Sequence, residues 1–495
     1  MNVILKGFDD SAGKPMIETA FKGLKIGTCI NVMNDKKQWP ELDCENQIFI
    51  PAGPQRAGDY SKIDWSEISP LDEELIEKMR ACEALFMTMV ERYANYKDMP
   101  YEERKRQYFD HLRYWDHMIE KHQIGLLLMN SVAHQCYDQV INDLCKLKNI
   151  PVWFFERMPI LGVASMEEDF ETTGTEIKEK MEEVRKRYEG SACASTSTEI
   201  TSDEEATADK KDEIDLHPLF EEFCKNQMDD KDPWYMGPRD PHLETDSFIK
   251  KWGSIAVRIF IHKPKYFFRS VFSPAFWKRK IKQHKTSLMY DRIAVEPDLS
   301  KKFIYMPLHM QPEATTCPLG GVYTDQNLMV RQMASHLPPD VLLYVKEHPA
   351  QEELCRSPEF YETLKNTKQV VLVPRYFSTH ELTRNALAVA TVTGTACLEG
   401  LFKGKSAVMF GHQFFQYAPG VKRVHTNEDC KRAVEVITSG QQTHTLRDLR
   451  IFMKALEETT FPYAGAPETP HMSETWIERA VIVGEEMGKK VRRYF

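Results

Sequence analysis

The sequence predicts an α/β protein in which two Rossmann-like domains face a cleft, followed by a C-terminal helical tail. Three observations carry this expectation. Short apolar runs alternate with helix-period stretches up to about residue 170, and again, more regularly, from Lys302 onward. Such alternation with short links is the signature of a parallel sheet covered by helices. The length of 495 residues suits two such domains plus connections.

In the first half, Val3–Leu5 reads as a strand, Met16–Leu24 as an amphipathic helix and Ile26–Val32 as a second strand. Helical patterning covers Glu73–Tyr93 and Tyr101–Lys121. Ile124–Met129 is a compact apolar run, Cys136–Leu147 a helix and Val152–Phe155 the next strand. In the second half the strands are Phe303–Pro307, Val341–Lys346, Val370–Val373, Leu387–Val392 and Ser406–Phe410. Helices at Gln326–His336, Phe360–Lys365, Ser378–Asn385 and Ala396–Phe402 separate them. Asn427–Ser439, Thr445–Glu458 and Ser473–Arg493 form the helical tail. The expected domains are residues 1–175, a connecting region 176–286, residues 287–425 and a tail 426–495.

Composition narrows the classes. At 42% hydrophobic and 28% charged residues, the chain is neither wholly disordered nor membrane-embedded. No apolar stretch is long enough to span a bilayer, and the N-terminus has no signal-peptide core. The 11 cysteines are dispersed without a CxxC pair, which speaks for a reducing compartment and against a zinc site or a disulfide framework. A cytoplasmic location is expected, with any membrane contact peripheral.

The net charge of −9 conceals two opposed segments. Ser191–Glu213 holds eight Ser or Thr, seven acids and two lysines, a net −5, and reads as disordered. Lys250–Lys285 holds eleven Lys or Arg, eight aromatics and no acid. That composition suits either a helix pair with a solvated basic face or a patch for an anionic membrane at the inner face of the cytoplasmic membrane. No nucleic-acid motif accompanies it, so no nucleic-acid partner is expected.

Three stretches carry residues suited to chemistry. Thr393-Gly394-Thr395 is a small-residue turn between a strand and a helix, where a backbone can approach a phosphate. Glu399, four residues into that helix, suits a ribose diol. It is neither a P-loop nor a GxGxxG turn. Lys346-Glu347-His348-Pro349 ends an apolar strand where parallel sheets place ligands. Lys346 and His348 are donors for phosphate there, and Pro349 fixes the chain direction. Glu313, in Met306–Glu313, projects from a proline-stiffened loop and suits an acceptor hydroxyl or positive charge at a sugar. Each stretch has a plain structural reading as a helix cap or strand end.

The segments FIYMPLHMQPEATT, LLYVKEHPAQ and VTGTACLEGLFKGKSAVMFG, in this order and spacing, resemble the bacterial capsule polysaccharide biosynthesis family, which includes β-Kdo transferases. The resemblance is strong over Ser287–Val424 and looser over NSVAHQCYDQVINDLCKLKNIPVWFFERM, which is similar to the family's acceptor-side segment and contains His134 and Asp138. It implies a GT-B-like glycosyltransferase transferring an acidic sugar, Kdo or a relative, from a CMP-activated donor to a lipid-linked or glycan acceptor. It implies that His348 and Pro349 grip the nucleotide phosphate, that Thr393, Gly394 and Thr395 form the second phosphate-side loop, and that Glu399 contacts the ribose. Lys346 would offset carboxylate or phosphate charge. His348 and Glu313 are the catalytic candidates, and no metal or cofactor beyond the donor is expected. Asp9, Asp10 and Glu156 follow first-domain strands, and no motif singles out one as the catalytic carboxylate. A nucleotide-sugar epimerase or hydrolase shares the architecture, and a non-catalytic assembly or export component is the reading from another class.

Overall fold

The computed structural model describes residues 1–92, 99–158, 161–192, 214–229, 257, 261, 273–311, 313–349, 351, 356–465 and 474–495. The strands in chain order are β1 (Asn2–Lys6), β2 (Ile26–Met33), β3 (Cys44–Pro51), β4 (Ile124–Met129), β5 (Val152–Met158) and β6 (Val163–Glu167). They continue as β7 (Lys302–Pro307), β8 (Val341–Lys346), β9 (Val370–Val373), β10 (Ala388–Thr391), β11 (Ser406–Met409), β12 (Val421–Arg423) and β13 (Phe461–Pro462).

The second sheet has the order β12-β11-β10-β7-β8-β9 with every pairing parallel. This is the doubly wound order, whose ligand crevice opens where the connections diverge, between the C-terminal ends of β7 and β10. The first sheet has the order β13-β6-β5-β4-β1-β2-β3. Its β3-β2-β1-β4-β5 portion is parallel, and β6 and β13 add antiparallel strands at one side. Two Rossmann-like sheets facing across a cleft make this a GT-B architecture.

Burial explains which strands were visible in the sequence. The central β4, IGLLLM, is covered on both faces and reads as a continuous apolar run. β3, CENQIFIP, is an edge strand with an exposed polar start, and it escaped the sequence pattern. The expected helix Glu73–Tyr93 is two helices, Glu73–Lys78 and Arg80–Met89, and Tyr93 lies outside the described residues. The break falls at Met79, whose carbonyl accepts from the buried Tyr108 hydroxyl at 2.9 Å. The acidic stretch beyond Ala192 and the basic stretch before Ser273 fall almost wholly outside the described residues.

The C-terminal helices bind both sheets together. The helix Leu446–Thr459 packs on the helix Thr175–Ala192, where Arg187 reaches Glu458 at 2.6 and 3.0 Å. β13 then joins β6, and the helix Trp476–Val491 crosses the helix Gly13–Ala20. At that crossing a Cβ on Gly484 would sit 2.5 Å from the Met16 carbonyl oxygen, so only glycine permits the approach.

Candidate active site

A cavity of about 630 Å³ opens between the sheets, within the size range of small-ligand sites. One wall comes from the C-terminal ends of β7, β8 and β10. It carries Glu313, Lys346, His348, Pro349, Thr393, Gly394, Thr395 and Glu399. The opposite wall comes from β5 and the loop after β4, and carries Ser131, Val132, Phe155, Glu156, Arg157 and Met158.

The second-sheet wall is held by a buried polar framework. Glu347 is fully buried and accepts from Arg356 Nε at 2.9 Å, from the Tyr361 hydroxyl at 2.7 Å and from the His348 amide at 2.8 Å. Its own amide donates to the Tyr290 hydroxyl at 3.0 Å. Arg356 also donates to the His309 carbonyl at 2.8 Å and to Gln311 Oε1. The turn that presents His348 is therefore fixed by an ion pair and two tyrosines, of which only Glu347 lies in a recognisable motif.

His309 joins the ends of β7 and β10. Its Nε2 accepts from the Thr393 amide at 3.2 Å. Burial, then the charges of His348 and Arg356, pushes its pKa down to about 3, so the ring is neutral and able to accept. A Cβ on Gly394 would meet this ring at 3.2 Å, which explains the glycine better than phosphate approach alone.

The partners of the expected phosphate loop change its reading. Thr393 Oγ1 donates to the Thr315 carbonyl at 2.7 Å, and the Gly394 amide donates to Thr391 Oγ1 at 2.8 Å. These donors shape the turn. Thr395 Oγ1 donates to Glu399 Oε1 at 3.3 Å, which orients that carboxylate in the wall. Lys346 is 3% exposed, and its ammonium donates to the Phe377 carbonyl at 2.9 Å and Thr379 Oγ1 at 2.6 Å. It ties β8 to the segment after β9 while its side chain forms part of the wall. Thr315 Oγ1 donates to Glu313 Oε2 at 3.1 Å, which holds that carboxylate in the loop after β7.

The first-sheet candidates separate. Asp138 is fully buried and does not line the cavity: its Oδ2 lies 2.6 Å from Lys6 Nζ, and its Oδ1 accepts from the Gln135 amide at 2.7 Å. This clamps a turn in which Cys136 has φ 65° and ψ −73° and Tyr137 N donates to Gln135 O at 2.8 Å, a strained γ-turn. His134, half-buried, makes a 2.7 Å hydrogen bond from Nδ1 to the Val132 carbonyl and is also outside the lining. Both support the loop that carries Ser131 and Val132. Asp9 Oδ2 accepts from the Asn34 amide at 2.9 Å and Asp10 Oδ1 from the Gly13 amide at 2.7 Å, and neither lines the cavity.

Glu156 does line it, at 6% exposure. Burial, reinforced by the nearby Glu167, pushes its pKa up to about 8. Beside it Arg157 donates to the Asn130 carbonyl at 2.7 Å and lies 5.0 Å from the Tyr463 ring centroid. Sequence reading named Glu156 without ranking it. His309, Arg157 and Arg356 were missed, because single His and Arg residues carry no pattern. Among the described residues no cluster of His, Cys, Asp and Glu is arranged to hold a metal ion.

Two sheets of Rossmann order facing a cleft define the class as a GT-B-type fold. Residues 270–439 match the family model described as Capsule polysaccharide biosynthesis protein, and that stretch holds the whole second sheet and its cavity wall. The match covers about a third of the chain, so the likeness to that family is one of this domain. No curated protein sequence matches the chain significantly. Among solved structures it is similar to the β-Kdo 2,7 transferase KpsC of Thermosulfurimonas dismutans, at 11% identity and a TM-score of 0.30, covering 75% of this chain and 88% of that one. It is also similar to the UDP-GlcNAc 2-epimerase of Methanocaldococcus jannaschii, at 11% identity and a TM-score of 0.26, covering 92% of this chain and 99% of that one. A glycosyltransferase from Rickettsia africae matches at 11% identity and a TM-score of 0.26, with 99% of each chain covered. At such identities and TM-scores these likenesses carry no functional argument.

Proposed function

We propose that the protein is a glycosyltransferase of capsule or other surface-polysaccharide assembly that transfers an acidic sugar, Kdo or a relative, from a CMP-activated donor to a lipid-linked or glycan acceptor. The observation that supports this best is the pairing of walls: His348, Pro349 and Glu399 on the second sheet opposite Glu156 and Arg157 on the first. The nucleotide lies against the second wall, with His348 donating to its phosphate and Glu399 accepting from the ribose diol. Glu313 orients the acceptor hydroxyl. The acceptor oxygen bonds to the anomeric carbon and gives its proton to Glu313, while the bond from that carbon to the phosphate oxygen breaks and CMP departs with its electron pair. The Glu156 carboxyl, which burial keeps protonated at neutral pH, gives its proton to the departing phosphate oxygen. CMP is a good leaving group, so positioning and charge stabilisation supply most of the rate.

The test is to incubate the purified protein with CMP-Kdo and lipid or glycan acceptors and to measure CMP release, alongside calorimetry with CMP. Acceptor-dependent CMP release is expected. Absence of both release and CMP binding overturns the proposal. Turnover of a UDP-sugar without any acceptor supports the epimerase or hydrolase reading instead.

A further inference from the structure

The helix Pro274–Ile293 presents one exposed face whose composition is unlike a solvated helix face. It begins at Ser273, whose hydroxyl accepts from the Phe276 amide at 3.3 Å, with Pro274 at its first position. Lys278, Lys282 and Lys285 are exposed and follow a spacing of four and three, which places them in one row. Ile281 and Leu288 fall in the same arc and are 46% and 38% exposed. No acid lies in this row. Glu359, at the start of the neighbouring helix Pro358–Lys365, is near enough to Lys282 to sense its charge, but it belongs to another element.

The other end of the helix is anchored. Tyr290 is fully buried, and its hydroxyl donates to the Val373 carbonyl at 2.5 Å and accepts from the Glu347 amide at 3.0 Å. Arg375 donates to Asp291 Oδ1 at 2.9 Å and to the Ser287 carbonyl at 3.0 Å. One end is thus bonded to the turn that presents His348, and the exposed row runs away from it along a helix about 30 Å long.

We propose that the face formed by Lys278, Ile281, Lys282, Lys285 and Leu288 docks the protein on an anionic lipid surface. The chemistry fits that partner: lysines reach phosphate headgroups, while the lysine stems, Ile281 and Leu288 contribute apolar contact at the headgroup boundary. A purely solvated face has no use for two exposed branched aliphatics between lysines, and a protein partner would favour aromatic and Arg anchors over lysine. Docking here sets the height and orientation of the cleft above the membrane, because the helix is bonded to the donor-side turn. The proposal does not depend on the identity of the donor.

Flotation of the full-length protein with phosphatidylcholine vesicles, with and without phosphatidylglycerol, tests it. Recovery is expected with the anionic vesicles alone and is expected to fall as salt rises. The triple variant Lys278→Glu, Lys282→Glu, Lys285→Glu is expected to lose about 100-fold or more in vesicle partition, since each lysine near an anionic surface contributes roughly a factor of five. The double variant Ile281→Ser, Leu288→Ser is expected to release the protein at lower salt than wild type. Circular dichroism and CMP calorimetry on the variants report the fold and the donor site separately. Equal recovery on neutral vesicles, undiminished flotation of the triple variant, or binding of single-stranded DNA in preference to anionic vesicles overturns the proposal.

Discussion

The Glu347 carboxylate accepts a hydrogen bond from Arg356 Nε at 2.9 Å, with side-chain exposures of 0% and 2%. Arg356 also reaches His309 O and Gln311 Oε1, so the pair ties the loop after β7 to the loop after β8. Breaking one side of a buried pair leaves an uncompensated charge and costs about 3–5 kcal/mol. Arg356→Ala is expected to lower the melting temperature sharply and to weaken CMP binding. Arg356→Lys, without the planar fork, is expected to recover little of either. Melting curves and calorimetry check this, and a wild-type melting temperature for Arg356→Ala contradicts it.

His348 and Glu399 lie on the proposed donor wall, and neither belongs to the Glu347–Arg356 pair. Each Ala substitution is expected to reduce CMP affinity by about 1–3 kcal/mol, which is roughly 5- to 150-fold. Thermal stability should change far less than for Arg356→Ala. Calorimetric titration with CMP measures the effect, and unchanged affinity in both variants removes them from the donor site.

Glu156 has a pKa pushed up to about 8 from an ordinary value of 4.5. Between those values the unfolded chain is ionised at this position and the folded chain is protonated, so folding takes up a proton. Stability from this group therefore falls as pH rises through that window and levels off above it. Glu156→Gln is expected to flatten this slope in urea unfolding measured across the window. The same variant is expected to bind CMP and to lose sugar transfer. An unaltered slope argues that the carboxyl is not buried in solution.

His309 shifts the opposite way for a base. Its pKa is pushed down to about 3 from 6.5, so the unfolded chain binds a proton that the folded chain refuses as pH falls through that window. Stability is lost over that range, and His309→Phe is expected to reduce the acid-side loss. It also leaves the Thr393 amide without its acceptor, at a cost of about 1–3 kcal/mol near neutral pH. Acid titration of unfolding separates the two effects. Gly394→Ala, which pushes a methyl toward the same ring, is expected to destabilise the turn without the pH signature.

Elements with their own periodicity were legible. Tyr101–Lys121, Ile124–Met129, Val341–Lys346, Val370–Val373 and Ala396–Phe402 are observed over the same residues that the pattern predicts. Each is a buried strand or an amphipathic helix, so local composition and burial agree. The tail helices at Asn427, Leu446 and Trp476 each begin with a capping box on Thr426, Thr445 or Thr475, a signal close to the chain's own punctuation. β3 and β13 were not legible. An edge strand and a two-residue pairing depend on the neighbour that supplies the ladder.

The cavity wall on the second sheet divides in the same way. His348, Pro349, Thr393, Gly394, Thr395 and Glu399 stand at strand ends and turns, where chain-local chemistry marks them. What each side chain does there depends on atoms far away in the chain. Lys346 is engaged with Phe377 and Thr379, and Asp138 is buried against Lys6 across 132 positions of sequence. Glu156 stood level with Asp9 and Asp10 in the sequence, since all three follow expected first-domain strands, although β5 extends through Glu156. Folding hydrogen-bonds two of them to backbone amides and turns the third into the cleft, with a raised pKa that no local pattern encodes. The alternation of strand and helix, the small-residue and His-Pro turns and the charge segregation are properties of neighbours in the chain, and the sequence alone states them. Which donors remain for a ligand, and which carboxyl keeps its proton, are set by desolvation and by partners that meet only when the sheets assemble.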